Sequence, residues 1–546
     1  MAKRYRPVLR DQGFLLPPDM REWLPAEHPV WLVIEVVEHH LDTRGVHAAT
    51  RRAGGAGAAG YDPDMLAALL VWAYAHRVTS SRRIEELCRT DIAFRVICAG
   101  DVPDHVTIAR FRAGLGRAAA DLFREVLALC ARLGMGQLAL IALDGMKIAA
   151  SASRAANRTE RRLRELADQI TAEHAANDAA EDALFGPGAR GDEVPPELAD
   201  PRTRSERIAA ALAGLEADRA AARQEQERRD AQASAYLAAE AAGPRPQRGP
   251  LPHAAAVTAA QIRLDKAIAA QQAKVEDFQR RQAAKIAATG TALRERPPAP
   301  GAGKAIHRAA AVLDRARQRH AAAGARAAER ERARRGPGPA RNTTGPHSRL
   351  MPARGGFLQG YNTQNLTSQD GLIIATALTA SPADTPWLQP MPAAADAAAL
   401  ITAHRPGGSE PIGLLLADAG YCSEHNLTLP GPDRLIATGK TRDVEKAAAG
   451  QPVTGGWHRT RPATRAMTAR LATADGIDAY RHRGHIAETP HGHIKHNLGI
   501  RQLSLRGIPR ATAEWHLACT VHNLFKAITS GHLTTATLAA LATQPR

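Results

Sequence analysis

Glu488 is the only carboxylate residue in a strongly basic stretch of the sequence, Tyr480 to Gly507. The cations around it are Arg481, Arg483, Lys495, Arg501 and Arg506. Such a composition is expected of a site that holds a metal ion and faces phosphate. Pro490 predicts the first turn of a helix, where its missing N–H is tolerated, so Glu488 is expected at the helix start. Lys495 then returns to nearly the same side two turns later.

Two aspartates follow short apolar runs. Asp144 ends the run in LALIALDGMKI, and Asp418 ends the run in IGLLLADAGY. Both runs are predicted to be buried strands, because they are short, apolar and closed by glycine. A lone buried charge is too costly, so both carboxylates are expected at an edge where something binds. Two strand ends and Glu488 can converge on a pair of hard divalent cations, which prefer oxygen ligands and act on phosphorus. Without the two aspartates, the basic stretch around Glu488 fits a surface helix with an acidic cap as well as it fits a metal site.

The chain resembles an insertion-sequence transposase of the DDE class. The resemblance rests on the segments LDGMKI, QGYNTQN, LLADAGY, AETPHGHIK, LRG and EWHLACTVHNLFK, and on YDPDMLAALLVWAYAH and PDHVTIARFR near the start. It implies an α/β fold: an RNase H-like mixed-sheet catalytic core, an all-α N-terminal domain and a long helical, coiled-coil-like insertion. It further implies that Asp144, Asp418 and Glu488 are catalytic and bind two Mg²⁺ ions, for which Mn²⁺ could substitute.

The family signature Tyr-x2-Arg-x3-Glu-x6-Lys is met with one departure. Tyr480, Arg483, Glu488 and Lys495 follow its order, but the interval from Arg483 to Glu488 is one residue longer. The role of Arg483 is therefore left open. The resemblance implies that the DNA-contacting residues of this region are Tyr480, Arg483, Lys495, Arg501 and Arg506.

The charge of the chain indicates a polyanionic partner. The 546 residues carry a formal net charge of +17, which most simply implies nucleic acid. No signal peptide and no bilayer-spanning apolar run is found, so no membrane partner is expected. The five cysteines are scattered, as in a reducing cytoplasm. Neither a P-loop nor a dinucleotide fingerprint is present, so no nucleotide cofactor is implied.

Residues 1–135 are predicted to form a helical DNA-binding domain. The segment around Asp104 opens a helix that carries Arg110 and Arg112, preceded by another helix and a short break. This arrangement suits a helix-turn-helix reader of the element's terminal repeats. Judged from the residues alone, the alternative is a plain helical bundle with arginines on its solvent-exposed surface.

The catalytic core is predicted in two pieces, separated by the insertion. Residues 136–154 hold its first strand, Leu138 to Leu143, and residues 346–530 hold the rest, with a tail at 531–546. Residues 155–345 are rich in Ala, Arg and Glu and contain Pro/Gly breakers, which predicts helices with flexible joints. Asp-Gly at 370–371 predicts a hairpin. The later order is strand, strand, helix, strand, helix, strand, helix, which is the RNase H-like order.

Several other polar residues could compete for the site. Glu514 and Glu424 are rival acids, but each opens a helix and is interpreted as structural. The histidines at 485, 491, 493 and 496 are interpreted as solvated or phosphate-facing, since no cysteine accompanies them. Asn362 and Gln364 lie on one side of a strand beside the predicted site; the resemblance favours a role near DNA.

These observations predict a transposase that binds its element's terminal inverted repeats, cleaves the strands and joins the 3′-OH ends to target DNA. Pairing two ends implies a homo-oligomer in the DNA complex. One alternative is a metal-dependent nuclease with the same core and no strand transfer. The other is a DNA-binding protein whose catalytic core has decayed.

Overall fold

The computed structural model describes residues 19–50, 60–170, 172, 204–242, 252–299, 301, 303–333, 340–353, 356–388, 392–408, 411–439 and 461–542. Parts of the predicted N-terminal domain, insertion and tail lie outside these ranges. The chain divides into two compact units, Met1–Asn157 with Asn342–Arg546, and Arg158–Arg341. Within the described ranges, no helix has both the length and the apolar character needed to cross a bilayer.

The N-terminal part of the first unit is helical, as predicted. Its α-helices are α1 (Pro29–Glu35), α2 (Arg44–Thr50), α3 (Pro63–Ala75), α4 (Ser81–Thr90), α5 (Ile92–Ile97), α6 (His105–Gly114) and α7 (Ala118–Arg132). Helix α3 begins with an aspartate cap: the Asp62 side chain accepts from the Asp64 N–H, and Pro63 follows it. Every residue from Leu66 to Tyr74 is buried, because other helices cover α3 on all sides.

A mixed sheet forms the middle of the first unit. The strands of the described residues are β1 (Leu140–Ala149), β2 (Asn157–Thr159), β3 (Ala340–Asn342), β4 (Arg349–Ala353), β5 (Gly356–Ser368), β6 (Ile373–Thr379), β7 (Leu414–Ala417) and β8 (Asp433–Ile436). The main sheet has the order β4-β5-β1-β7-β8, with β6 also paired to β5. The predicted hairpin is confirmed: β5 and β6 are antiparallel, and Gly371 in their turn has φ 86°.

Strand β1 is longer than its apolar run. It pairs in parallel with β7 only from Leu140 to Leu143, but it pairs antiparallel with β5 from Ile141 to Ala149. The predicted end at Leu143 is therefore wrong for the strand as a whole, because β5 supplies hydrogen-bond partners beyond that point. The end at Leu143 is correct for the parallel pairing with β7. That end of the pairing lies directly before Asp144 and Asp418.

The remaining helices of the first unit pack around this sheet. They are α11 (Pro392–His404), α12 (Glu424–Thr428), α13 (Pro462–Leu471), α14 (Ala474–Arg483), α15 (Thr489–Gly492), α16 (Ile508–Thr529) and α17 (Thr535–Ala542). Leu517, Val521 and Leu524 lie on the buried side of α16. Asn523 of α16 bonds the backbone of Ile373 in both directions, at 2.9 and 2.8 Å. The N-terminal helices join the same hydrophobic cluster; the predicted boundary at residue 135 stays a prediction.

The second unit is built from long helices. Residues 160–170 are helical, and in the described ranges after them lie the helices α8 (Arg204–Ala242), α9 (His253–Thr289) and α10 (Lys304–Ala333). Leu163, Leu166, Ile208 and Leu215 are among the residues of a small buried cluster. Most other described side chains of these helices are exposed, as expected for helices whose apolar residues are mainly alanine.

Replacing residues 160–339 with a Gly/Ser linker is expected to leave a soluble first unit that unfolds cooperatively. Strands β2 and β3 pair with each other, so a short linker can join Thr159 to Ala340, and the main core lies outside the removed segment. Thermal unfolding followed by circular dichroism, with the full chain alongside, measures this. An insoluble or non-cooperative product would show that the first unit needs the helices of the second.

Candidate active site

Asp144 and Asp418 lie side by side because of the strand register. The last parallel pair of β1 and β7 is Leu143 with Ala417. Asp144 is the next residue of β1, and Asp418 is the first residue after the end of β7. Neighbouring strands run about 4.8 Å apart, so the two carboxylates emerge at the same end of the pairing. The structure thus brings together the two aspartates that the sequence singled out.

The environment of Asp418 disfavours its charged form. Burial, followed by the nearby charge of Asp144, raises the pKa of the Asp418 carboxyl. Its Oδ1 accepts from the Gly420 N–H at 2.9 Å, at the start of the short turn Ala419–Tyr421. A buried carboxyl whose pKa is raised by a neighbouring carboxylate belongs to a site that favours a cation.

Glu488 lies in the middle of a long helix rather than at its start. Helix α14 continues through a π-helical turn, Gly484–Glu488, then through α15 and a second π-helical turn, His493–Asn497. The predicted start at Pro490 is therefore wrong, and so is the stabilisation of Glu488 by a helix N-terminus. The widened π-turn before Pro490 accommodates the residue that cannot donate a backbone hydrogen bond.

The π-turn also absorbs the extra residue in the signature. On a regular α-helix, side chains five residues apart point about 140° away from each other. In the π-turn the pairing distance is five residues, and Arg483 Nη2 donates to Glu488 Oε1 at 3.4 Å. The longer interval therefore does not separate Arg483 from Glu488.

Arg483 links the helix to the sheet. Its Nη1 lies 3.7 Å from Asp144 Oδ1, while Nη2 holds Glu488. The Arg483 side chain is 18% exposed, whereas the Glu488 side chain is 67% exposed. Among the described residues Nη1 has no hydrogen-bond partner. The guanidinium is thus a cation held loosely between two of the three predicted catalytic acids.

The residues present fit a hard divalent cation. Asp144, Asp418 and Glu488 offer carboxylate oxygens, and the position between Asp144 and Glu488 already holds a positive group. A tighter three-ligand group also occurs among the described residues, at His47, Asp62 and Asp64. That group is largely exposed and near the start of α3, where Asp62 already caps the helix, so it is assigned no metal.

Tyr480 supports Asp418 from the helix. Its hydroxyl donates to the carbonyl oxygen of Ala417 at 3.1 Å, immediately before the aspartate. Burial raises the pKa of Tyr480 to about 12. Because the hydroxyl already has a backbone partner, the structure places Tyr480 against β7 rather than on a surface open to DNA.

The cations predicted to bind DNA have different environments. Lys495 is half-buried and, within the described part of the chain, makes no hydrogen bond or ion pair. Arg501 is exposed and donates to His496 Nδ1 at 3.3 Å. Arg506 is exposed and donates to the carbonyl oxygen of Ser151 at 3.1 Å. These three groups remain accessible to a phosphate.

The two arginines of α6 differ in exposure. Arg110 is exposed. Arg112 is 8% exposed, and its guanidinium donates to the carbonyl oxygen of Thr79. The prediction that Arg112 contacts DNA does not fit this burial, because its head group would have to leave the interior and abandon that partner.

Both rival glutamates have structural partners. The buried Glu514 accepts from the N–H groups of Ser504 and Leu505, at 2.8 and 2.9 Å. Glu424 accepts from the N–H groups of Ala463 and Thr464 at the start of α13, at 2.6 and 3.3 Å. Burial opposes the ionisation of Glu424, but these hydrogen bonds hold its pKa below the ordinary value.

Two residues near the site are missed by sequence reasoning. His491 is buried, with its Nδ1 at 3.6 Å from Asp144 Oδ2, rather than solvated. Asp384 receives hydrogen bonds from Lys147, Asn362 and Gln364. Asn362 and Gln364 are therefore buried partners of a carboxylate, not DNA contacts. Asn362 and Gln364 lie on one side of β5, a spacing compatible with a shared partner, but nothing in the sequence identifies that partner as Asp384.

Two family models match the chain. Residues 18–114 match a family described as "Transposase domain (DUF772)", and residues 446–528 match one described as "Transposase DDE domain". The second match includes Glu488 and Lys495 but neither Asp144 nor Asp418. None of the curated proteins and none of the solved structures compared with the chain matches it.

Asp418→Asn is expected to raise the melting temperature of the metal-free protein at neutral pH. Below the unfolded-state pKa of an aspartate, about 3.9, the carboxyl is protonated in both states and its burial is harmless. As pH rises through the raised folded-state pKa, the ionised carboxylate destabilises the fold, and asparagine avoids this loss. The difference from wild type should therefore shrink as pH falls.

Thermal unfolding in EDTA across this pH range measures the effect. The matched control is Asp475→Asn, an exposed acid of α14, which should melt like wild type throughout. If Asp418→Asn melted below wild type at neutral pH, the strained carboxylate pair would be refuted.

Proposed function

The two domain matches support an insertion-sequence transposase of the DDE class, and from that premise we propose that the protein binds the ends of its mobile element, cleaves the DNA and joins the 3′-OH ends to target DNA. One observation carries the proposal: Asp144 and Asp418 end a parallel strand pair, opposite a helix that presents Arg483 and Glu488. The mixed sheet, with its antiparallel β5 and parallel β7 on either side of β1, supports an RNase H-like core.

Asp144, Asp418 and Glu488 would hold two Mg²⁺ ions, or Mn²⁺ in their place. Bound there, the ions would activate water or the 3′-OH and stabilise the leaving oxygen. The single positive charge of Arg483 partly balances the charges of Asp144 and Glu488. Glu488 is exposed and its only hydrogen bond among the described residues is to Arg483, so its carboxylate is free to turn towards the aspartates.

Tyr480 and Lys495 would have separate tasks on the same helix. The hydrogen bond from Tyr480 to the Ala417 carbonyl fixes the backbone just before Asp418. Lys495 lies seven residues after Glu488 and has no protein partner in the described chain, which suits a point charge for the phosphate near the scissile bond. Arg501 and Arg506 would contact the flanking backbone.

The N-terminal helices would recognise the terminal repeats. Arg110 is exposed on α6, and the α4–α6 segment lies inside the match to the transposase domain. These helices share a hydrophobic core with the catalytic sheet, so end recognition and cleavage would take place on one rigid body. Joining two ends requires two copies of the site, which favours a homo-oligomer in the DNA complex.

The two alternatives predict different products. A nuclease with the same core would cut but not join DNA, whereas a decayed protein would bind without cutting. The longer Arg483–Glu488 interval would by itself favour decay, but the π-turn keeps the two side chains together.

Asp144→Asn, Asp418→Asn and Glu488→Gln are each expected to lower cleavage about 10³-fold or more while end binding persists. Each change removes a cation-binding charge at nearly constant shape, and losing about 4 kcal/mol of transition-state stabilisation has this effect. Mg²⁺-dependent cleavage and strand transfer on DNA with the element's own ends measures it.

Two controls accompany these variants. Asp475→Asn, an exposed acid of the same helix, should cleave normally. Glu514→Gln should lower the melting temperature but keep cleavage at a permissive temperature, because Glu514 binds backbone N–H groups. A normally active Glu488→Gln beside an inactive, folded Glu514→Gln would identify Glu514 as the third acid.

Lys495→Ala is expected to weaken end binding and to lower the slope of log affinity against log salt by about one unit, as for one lost phosphate contact. Cleavage should also slow, because the phosphate is no longer held in line. End binding at several salt concentrations and single-turnover cleavage measure both effects. An unchanged slope with an unchanged rate would make Lys495 a solvated helix residue.

A further inference from the structure

Asp384 lies behind the strand that carries Asp144. Successive residues of a strand point to opposite sides, so Gly145 and Lys147 of β1 lie on the side away from Asp144. On that side Asp384 accepts from Lys147 Nζ at 2.9 Å, from Asn362 Nδ2 at 2.7 Å and from Gln364 Nε2 at 2.8 Å. One carboxylate therefore ties β1 to β5 behind the catalytic acids.

Asp384 is also wedged against the backbone next to both aspartates. A Cβ on Gly145, the residue after Asp144, would lie 2.6 Å from Asp384 Oδ1. A Cβ on Gly420, two residues after Asp418, would lie 3.3 Å from Asp384 Oδ2. Glycine at these positions lets the carboxylate approach both segments closely.

The neighbours of Asp384 hold the loop that follows Asp418. Thr385 Oγ1 donates to the Gly420 carbonyl oxygen at 2.7 Å. Asn426 Nδ2 donates to the carbonyl oxygens of Thr385 and Tyr421, each at 2.8 Å. The Tyr421 hydroxyl donates to Gln364 Oε1, so the network closes on a side chain that itself binds Asp384.

The charge of Asp384 is balanced inside this network. Lys147 and Asp384 have side chains 18% and 21% exposed, so removing either one would leave a poorly solvated partner. The charge of Asp384 also adds to the rise in the pKa of Asp418, after the larger effects of burial and Asp144. Asp384 is thus close enough for its charge to affect the proposed metal site without being exposed at it.

We propose that Asp384 is a positioning residue of the active site, which sets the loop after Asp418 against the backbone after Asp144 so that both carboxylates bind the same cations. This inference rests on the proposed function, because it needs a cation-binding acid pair. Substituting a residue that orients metal ligands typically lowers metal affinity or activity about 10–100-fold.

Asp384→Asn keeps the size of the side chain but places an NH₂ donor among the donors of Lys147, Asn362 and Gln364. In the full chain without DNA, Mn²⁺ binding followed by electron paramagnetic resonance should weaken about 10–100-fold. Asp144→Asn should abolish Mn²⁺ binding in the same measurement. The matched control is Asp396→Asn, an exposed acid of α11, which should bind Mn²⁺ like wild type.

A second readout needs no metal. Hydrogen exchange followed by mass spectrometry should show faster exchange in metal-free Asp384→Asn for peptides covering Asp418 to Tyr421, with helix α3 unchanged. Should Asp384→Asn prove insoluble, Thr385→Val removes only the hydroxyl bound to Gly420 and should give the same local change with a smaller affinity loss.

The outcomes separate this inference from the function beneath it. Suppose that wild type binds Mn²⁺ and that Asp144→Asn does not. If Asp384→Asn then shows unchanged Mn²⁺ affinity and unchanged hydrogen exchange, the positioning role alone is overturned. Wild type that binds no Mn²⁺ at millimolar concentration would overturn the proposed two-metal function, and the positioning role with it. Weakened binding with faster local exchange supports both.

Discussion

Two carboxylates held side by side at the end of a parallel strand pair are the constraint on which the rest of the site depends. The pairing of Leu143 with Ala417 places Asp144 and Asp418 next to each other. Burial raises the pKa of Asp418 and so disfavours its charged form. Such a pair is unfavourable without a cation. The surrounding residues are therefore best understood by how they hold or compensate these two charges.

The two sides of the sheet divide this task. In front, Arg483 and His491 approach Asp144 at 3.7 and 3.6 Å, and under the proposed function a metal ion would replace these contacts. Behind, Asp384 and Lys147 form a neutral pair bonded into the sheet at 2.9 Å. The front contacts are long, whereas Asp384 behind accepts short hydrogen bonds from Lys147, Asn362 and Gln364, at 2.7 to 2.9 Å. This contrast suits a site that exchanges its cation over a rigid support.

The sequence predicts the elements of the core better than their limits and partners. The apolar runs before Asp144 and Asp418 and the hairpin at 370–371 appear in the structure. The length of β1 depends on β5, which comes more than 200 residues later in the chain. The burial of Arg112 and the partners of Asp384 likewise follow from tertiary packing, which local pattern does not contain.

The π-turn at Gly484–Glu488 shows why spacing in a motif is a weaker guide than geometry. Counted on an α-helix, one extra residue would rotate Glu488 away from Arg483 by about 100°. The backbone instead widens over these five residues, and the two side chains stay in contact at 3.4 Å. The same widening lets Pro490 sit inside the helix, so the helix continues to Lys495. The one extra residue between Arg483 and Glu488 is thus accommodated within a single π-turn. Glu488 and Lys495 remain on one continuous helix.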